Sequence, residues 1–283
     1  MNKVLVTGGS GFVGRSLIRE LLRKYPDIEV TSLSRSEGVI SQLLIDCPDT
    51  RLKIEIADIR DTQAVRQALR HKDTVIHLAA MKRVDLSEAE SREAASINVI
   101  GTMNVLDAFQ GNTFVLMSTD KAVEPCNCYG ATKLVAEKLV LERARKELNG
   151  TRLMIVRSGN INKSTGSVLY IWKNQIEANN EITVTDPNML RYYTSIEGVV
   201  KLYIAVLERG ENGKIYFTPR GEPIVLKELI EKTIKLYGNE RTAVKYIGLR
   251  PGERMSEKMR TPDEINTISG FEESDKEIST TKS

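Results

Sequence analysis

The feature that most constrains this chain is an alternation. From Lys3 to Arg157, short β-branched runs take turns with helix-length amphipathic segments. Repeated strand-then-helix units of this kind build a parallel sheet covered by helices on both faces, so the class is α/β. Lys3 to Thr7, Glu29 to Ser34, Leu52 to Ile56, Thr74 to Leu78, Thr113 to Ser118 and Arg152 to Arg157 read as strands. Val13 to Lys24, Thr62 to Leu69, Ala89 to Phe109 and Tyr129 to Leu148 read as helices. After Arg157 the rhythm loosens. Gly159 to Gly166 reads as a loop, and Val168 to Ala178 and Gly198 to Glu208 read as helices. Past Pro262 the chain is too polar to repay the cost of ordering. The division expected is 1–157, with parts of 194–210 returning to it, then a smaller lobe over 158–262 and a polar tail over 263–283.

Composition excludes several function classes. The longest apolar runs are strand-sized, far below the ~20 residues that cross a bilayer. Met1-Asn2-Lys3 leads straight into Val4 with no secretory leader pattern, so a cytoplasmic protein without a membrane partner is expected. A net charge of +3 without a long basic block gives no nucleic-acid footprint. The 3 cysteines, Cys47, Cys126 and Cys128, are an odd count that argues against a disulfide framework. With His71 and His77 as the only histidines, no metal site is expected.

Glycines at Gly8, Gly11 and Gly14 fall between the first strand and the first helix. A dinucleotide needs this: a tight turn, a backbone close enough to touch pyrophosphate, and free helix N–H groups facing the anion. Gly8, Ser10, Gly11, Phe12, Val13 and Gly14 are therefore candidate cofactor contacts. An NAD-preferring site usually places an acid at the end of the second strand, whereas here Ser34-Arg35-Ser36 stands there. Arginine and hydroxyls suit the extra 2′-phosphate, which favours NADP. Asp58 and Ile59 are placed to meet the adenine. Ala79 and Ala80 leave room for backbone beside the cofactor.

The fifth strand runs into Thr119-Asp120-Lys121, and Tyr129 and Lys133 share one face of the next helix. A phenol with a pKa of about 10 needs roughly 4 kcal/mol of phenolate stabilisation to act as a base at neutral pH. A nearby ammonium and a positive nicotinamide supply it. Thr119 would donate a hydrogen bond to the substrate oxygen that Tyr129 deprotonates.

Several segments carry a resemblance: Ser118-Thr119-Asp120-Lys121-Ala122 with Pro125, Tyr129-Gly130-Ala131-Thr132-Lys133, Leu78-Ala79-Ala80-Met81-Lys82, Asn98-Val99-Ile100-Gly101-Thr102 and Gly248-Leu249-Arg250-Pro251-Gly252-Glu253. From Lys3 to Met259 the chain resembles extended short-chain dehydrogenases/reductases. Within them it resembles the inverting UDP-N-acetylglucosamine 4,6-dehydratases of the polysaccharide biosynthesis protein family, a group that also includes sugar epimerases. The resemblance implies a Rossmann-type doubly wound parallel sheet with a smaller C-terminal substrate-binding lobe, NADP, a UDP-sugar substrate and a homo-oligomer.

The implied chemistry starts with oxidation at C4, where Tyr129 removes the hydroxyl proton. A partly neutral Lys121 then takes the C5 proton while Asp120 helps protonate the leaving C6 hydroxyl. Lys82 and Asn98 are expected beside the cofactor, Asn98 as a brace. Lys82, Asn160, Ser167, Arg191, Arg250 and Glu253 are expected to contact the substrate. The chain departs from the family pattern at Ser158 and over Asn162 to Ser167, where Thr165 replaces an arginine. The alternatives are a C4 or C5 epimerase of the same family and a non-catalytic NADP-binding regulator.

Overall fold

The computed structural model describes residues 1–162, 164, 167–218, 223–261 and 264. Apart from Glu264, the expected polar tail lies outside the described residues, as do the Thr165 position and Pro262. β1 (Lys3–Thr7), β2 (Glu29–Ser34), β3 (Leu52–Ile56), β4 (Thr74–His77), β5 (Thr113–Thr119) and β6 (Arg152–Ser158) form where β-branched runs predict them. β1, β4 and β6 are buried along nearly their whole length, so burial on both faces explains their continuous apolar reading.

The helices covering this sheet are α1 (Phe12–Lys24), α2 (Glu37–Asp46), α3 (Thr62–Ala68), α4 (Val84–Ala89), α5 (Ser91–Ala95), α6 (Gly101–Ala108) and α7 (Cys128–Lys146). Strand order is β10-β6-β5-β4-β1-β2-β3 in a 7-stranded sheet, with β10 (Ile215–Phe217) added beside β6. The pairings are parallel throughout. One apolar core packs α1 and α9 (Ile196–Arg209) on one face, and a second packs α3, α6 and α7 on the other. This is the doubly wound Rossmann arrangement. The order reverses between β1 and β4, and a crevice opens there at the carboxyl ends of the strands.

Ala89 to Phe109, expected as one helix, is interrupted. α5 passes into a π-helical turn, Ser96–Ile100, before α6 resumes. The wide turn re-aims Asn98 toward the core, and Gly101 lets the helix pack so closely that an added Cβ would lie 2.5 Å from Ile59 Cδ1. α2 was not expected; its apolar content is weakly amphipathic and gave no periodic signal.

The remaining chain folds around Trp172, which is 1% exposed. α8 (Val168–Asn179) and α10 (Leu226–Tyr237) enclose it with β8 (Glu181–Val184) and β9 (Leu190–Thr194). β7 (Asn160–Ile161), β9 and β11 (Pro223–Val225) form one small sheet, and β8 pairs with β12 (Ala243–Tyr246) in another. A strap over 248–261 then crosses back toward β5 and α7.

Candidate active site

A cavity of about 650 Å3 runs from the glycine turn across the ends of β1, β4 and β5 into the smaller lobe. Gly8 takes φ +68°, and a Cβ there would sit 2.9 Å from the Ala79 nitrogen, so the turn and the end of β4 meet backbone to backbone. Gly11 N–H donates to the Gly8 carbonyl, and Ser10 N–H donates to Ser34 Oγ, tying the turn to the end of β2. Gly11 precedes α1 without a side-chain cap, and the first turn holds no acid. Its free N–H groups and positive dipole end thus suit a diphosphate. Gly8, Ser10, Gly11, Phe12, Val13 and Gly14 all line the cavity, so the cradle fits a dinucleotide.

At Gly14 an added Cβ would fall 2.5 Å from the Gly9 carbonyl oxygen. Gly14→Ala is therefore expected to push α1 off the turn and weaken dinucleotide binding about tenfold or more. A fluorescence titration measures this, and wild-type affinity in the variant would mean the helix end does not hold the phosphates.

Ser34, Arg35, Ser36, Asp58, Ile59, Ala79, Ala80 and Lys82 also line the cavity. Asp58 accepts from Arg60 through both oxygens and from Arg35 at 3.2 Å. The Arg60 hydrogen bonds foremost, with help from Arg35, hold its carboxyl far below the usual carboxylate range. An adenine amino group would have to share those oxygens. Burial lowers the Lys82 pKa.

Asn98 is not in the cavity wall. Its amide accepts from Met81 N–H at 2.8 Å and donates to Met81 O and Thr132 Oγ1, at 3.0 Å each. Asn98 is thus the expected brace, its amide tying the loop after β4 to α7, and it is not itself in the wall where a cofactor contact was expected.

Thr119, Lys121 and Tyr129 converge on the cavity. Asn127 caps α7 by accepting from Gly130 N–H, which places Tyr129 in the first turn and Lys133 one turn deeper. Burial raises the Tyr129 pKa, while the Lys121 charge and a hydrogen bond with Thr119 pull it back. Lys133 is 3% exposed, and burial lowers its pKa to about 8 against the pull of Glu137.

Asp120 is 4% exposed and stands behind the wall. Its Oδ1 accepts from Thr119 Oγ1 at 2.9 Å and from Lys121 Nζ at 3.0 Å, and its Oδ2 lies against Gly159. Lys121 Nζ also lies 3.9 Å from Glu257, a carboxylate that the sequence reading missed. Burial works against the Lys121 charge, but Asp120 and Glu257 outweigh it, and its pKa rises. The expectation of a partly neutral Lys121 is therefore corrected for the cofactor-free site.

Asn160, Ser167, Arg191, Arg250 and Glu253 line the far side. Ser167 caps α8, and Glu253 accepts from the Arg250 N–H. Arg191 is first of all a tie: its terminal nitrogens donate to the Leu190, Arg254 and Met255 carbonyls, holding the strap.

Residues 4–276 match the family described as polysaccharide biosynthesis protein. The chain belongs to that family. An uncharacterized membrane protein of Methanocaldococcus jannaschii is 34% identical over 280 residues, covering 95% of this chain and 84% of the relative. A Rickettsia rickettsii protein named UDP-glucose 4-epimerase is 33% identical over 269 residues, covering 93% of this chain and 78% of the relative. The X-ray structure of Pen from Bacillus thuringiensis superposes with a TM-score of 0.89 at 34% identity, covering 93% of this chain and 82% of Pen.

In this polysaccharide biosynthesis protein family member, no helix among the described residues is long and apolar enough to cross a membrane. Its Lys133 costs stability to keep. A lysine whose folded pKa is lowered to about 8 carries its full penalty below that pH and sheds it as pH rises toward the unfolded value. Lys133→Met is accordingly expected to gain on the order of 1–3 kcal/mol at neutral pH while losing turnover. A lower denaturation midpoint in the variant would instead make the ammonium a net structural tie to Glu137.

Proposed function

We propose that this protein is an NADP-dependent nucleotide-sugar 4,6-dehydratase acting on UDP-N-acetylglucosamine, with inversion at C5. The observation that carries the reading is the cluster of Asp120, Lys121 and Glu257 beside Tyr129 and Thr119. Moving a hydride at C4 needs only a phenol and its helpers. Two carboxyls packed on a lysine are acid and base equipment for an elimination.

Tyr129 takes the C4 hydroxyl proton, with Thr119 and the Lys121 charge favouring its phenolate. A nicotinamide dinucleotide held against the glycine turn of Gly8, Gly11 and Gly14 would supply the hydride chemistry that C4 and C6 require. The ketone at C4 acidifies the C5 proton, which Lys121 takes after releasing one of its own to solvent. A carboxyl group protonates the departing C6 hydroxyl, and Lys121 returns a proton to C5. The C4 ketone stays in the product, and one water leaves.

Incubation with UDP-N-acetylglucosamine and NADP, followed by NMR, tests this. A new C6 methyl signal with loss of water is expected. A hexosamine changed only in configuration would favour the second reading, C4 epimerisation, which the name of the Rickettsia relative supports.

The choice of NADP rests on Arg35, whose side chain is 54% exposed at the cavity edge and pairs with Asp58. Replacing it, Arg35→Ser, is expected to weaken NADP binding about 10- to 100-fold relative to NAD. An unchanged ratio would remove the argument for the 2′-phosphate.

A further inference from the structure

Tyr193 is a buried titratable group that the proposed mechanism leaves idle. It is 7% exposed and lines the cavity. Its ring packs into the core of the smaller lobe with Trp172 and Met189, a task that phenylalanine would serve as well. Its hydroxyl receives no hydrogen bond and gives none among the described residues. Such a group is destabilising unless a partner comes from outside the protein. Tyr203 differs, because its unpaired hydroxyl is sealed in the core, whereas Tyr193 opens onto the cavity.

Placement narrows what that partner is. Alternate residues of a strand share a face, so Arg191 and Tyr193 project from one side of β9, and both line the cavity. Asn160, the partner of Tyr193 between β7 and β9, lines it too. The positive charges of Arg191 and Lys121 both reach the Tyr193 hydroxyl, and Lys121 acts on Tyr129 in the same way. The wall is braced from behind: Arg191 donates to the Arg254 and Met255 carbonyls, and Arg157 to the Met259 carbonyl at 3.2 Å.

We propose that Tyr193 is a substrate-contacting residue whose hydroxyl donates a hydrogen bond to the C6 oxygen of the sugar and orients the C6–O bond for elimination. The inference rests on the dehydratase reading, which sets C4 at Tyr129 and C5 at Lys121, with the diphosphate on C1 at Arg191. A hexose ring joins C5 to C1 through its ring oxygen, and C6 stands on that edge. A donor within the fields of both Lys121 and Arg191 therefore meets the C6 oxygen. Burial raises the Tyr193 pKa against the pull of Arg191 and Lys121, so the hydroxyl keeps its proton at neutral pH. Tyr193 transfers no proton in this scheme; it fixes a direction.

A binding cycle tests the contact without turnover. Protein loaded with NADPH, in which C4 oxidation cannot start, is titrated with UDP-N-acetylglucosamine and with its 6-deoxy analogue. The wild type is expected to bind the parent about three- to tenfold more tightly than the analogue, and Tyr193→Phe to bind the two within about twofold of each other. Equal affinities in the wild type overturn the proposal. So does an undiminished preference for the parent in Tyr193→Phe.

Single turnovers with NADP give the second readout. In Tyr193→Phe, reduced-nicotinamide absorbance should appear within about threefold of the wild-type rate, while the C6 methyl should form about 10- to 100-fold more slowly. Methyl formation at the wild-type rate overturns the orienting role, as does equal slowing of both steps. If the wild type itself forms no methyl product, it is the dehydratase reading that fails, and the binding cycle still decides the contact.

Discussion

Tyr129→Phe is expected to abolish turnover, by about 10²- to 10⁴-fold or more, while NADP binding stays within a factor of a few. In the proposed reaction the phenol accepts the C4 proton, and the substitution removes a single oxygen from the cavity wall. Burial pushes its pKa above the ordinary phenol value, with the Lys121 charge and Thr119 opposing that. Wild-type turnover should therefore rise with pH through the neutral range as phenolate forms. Initial rates over a pH series, paired with a cofactor titration, measure both halves. Turnover in the Phe variant within tenfold of wild type would show that another group takes the proton.

The second large effect is on stability. Arg157→Met is expected to cost about 3–5 kcal/mol, because removing one partner leaves a buried charge uncompensated. Arg157 and Glu137 are 2% and 1% exposed and meet in a two-pronged pair at 2.8 and 2.6 Å. The other side of the guanidinium meets Glu264 at 2.7 and 2.8 Å. One arginine therefore joins β6, α7 and the end of the strap.

Adding Glu137→Leu to Arg157→Met is expected to recover much of the loss, since an apolar pair of similar volume avoids the desolvation cost. Denaturant midpoints of the two variants check this. A single-variant loss below about 1 kcal/mol would mean that the pair only breaks even and water replaces it. The same helix face carries Tyr129 and Lys133, so the single variant should also loosen the active site.

The alternation between Lys3 and Arg157 was enough to place β1 to β6, because strands buried on both faces need apolar runs that stand out from any neighbour. The glycines of the first turn were legible for a similar reason. Their spacing answers a local demand, and Gly8 and Gly14 each touch backbone that no side chain would allow. Tyr129 and Lys133 could be read as a pair because a helix brings i and i+4 together wherever it forms. β10 was not legible: three residues carry no period, and only pairing with β6 makes them a strand. Asn98 was legible as a brace but not as to its partners, because a π turn, packed against Ile59 and α7, aims its amide at Met81 and Thr132.

For the segment proposed to carry the chemistry, sequence alone determined which groups are present: a threonine, an acid, a lysine, and a tyrosine with its own lysine. Only the tertiary structure decided their charge and access. Glu257 lies far along the chain from Lys121, in a stretch with no periodic or motif signal, and the strap that delivers it is held by arginines bonded to its carbonyls. Protonation depends on the field of every buried neighbour, so a lysine that looks like a base in the sequence is held as a cation in the fold. Local pattern determines secondary structure and nearby pairs; long-range packing determines which acid faces the cavity.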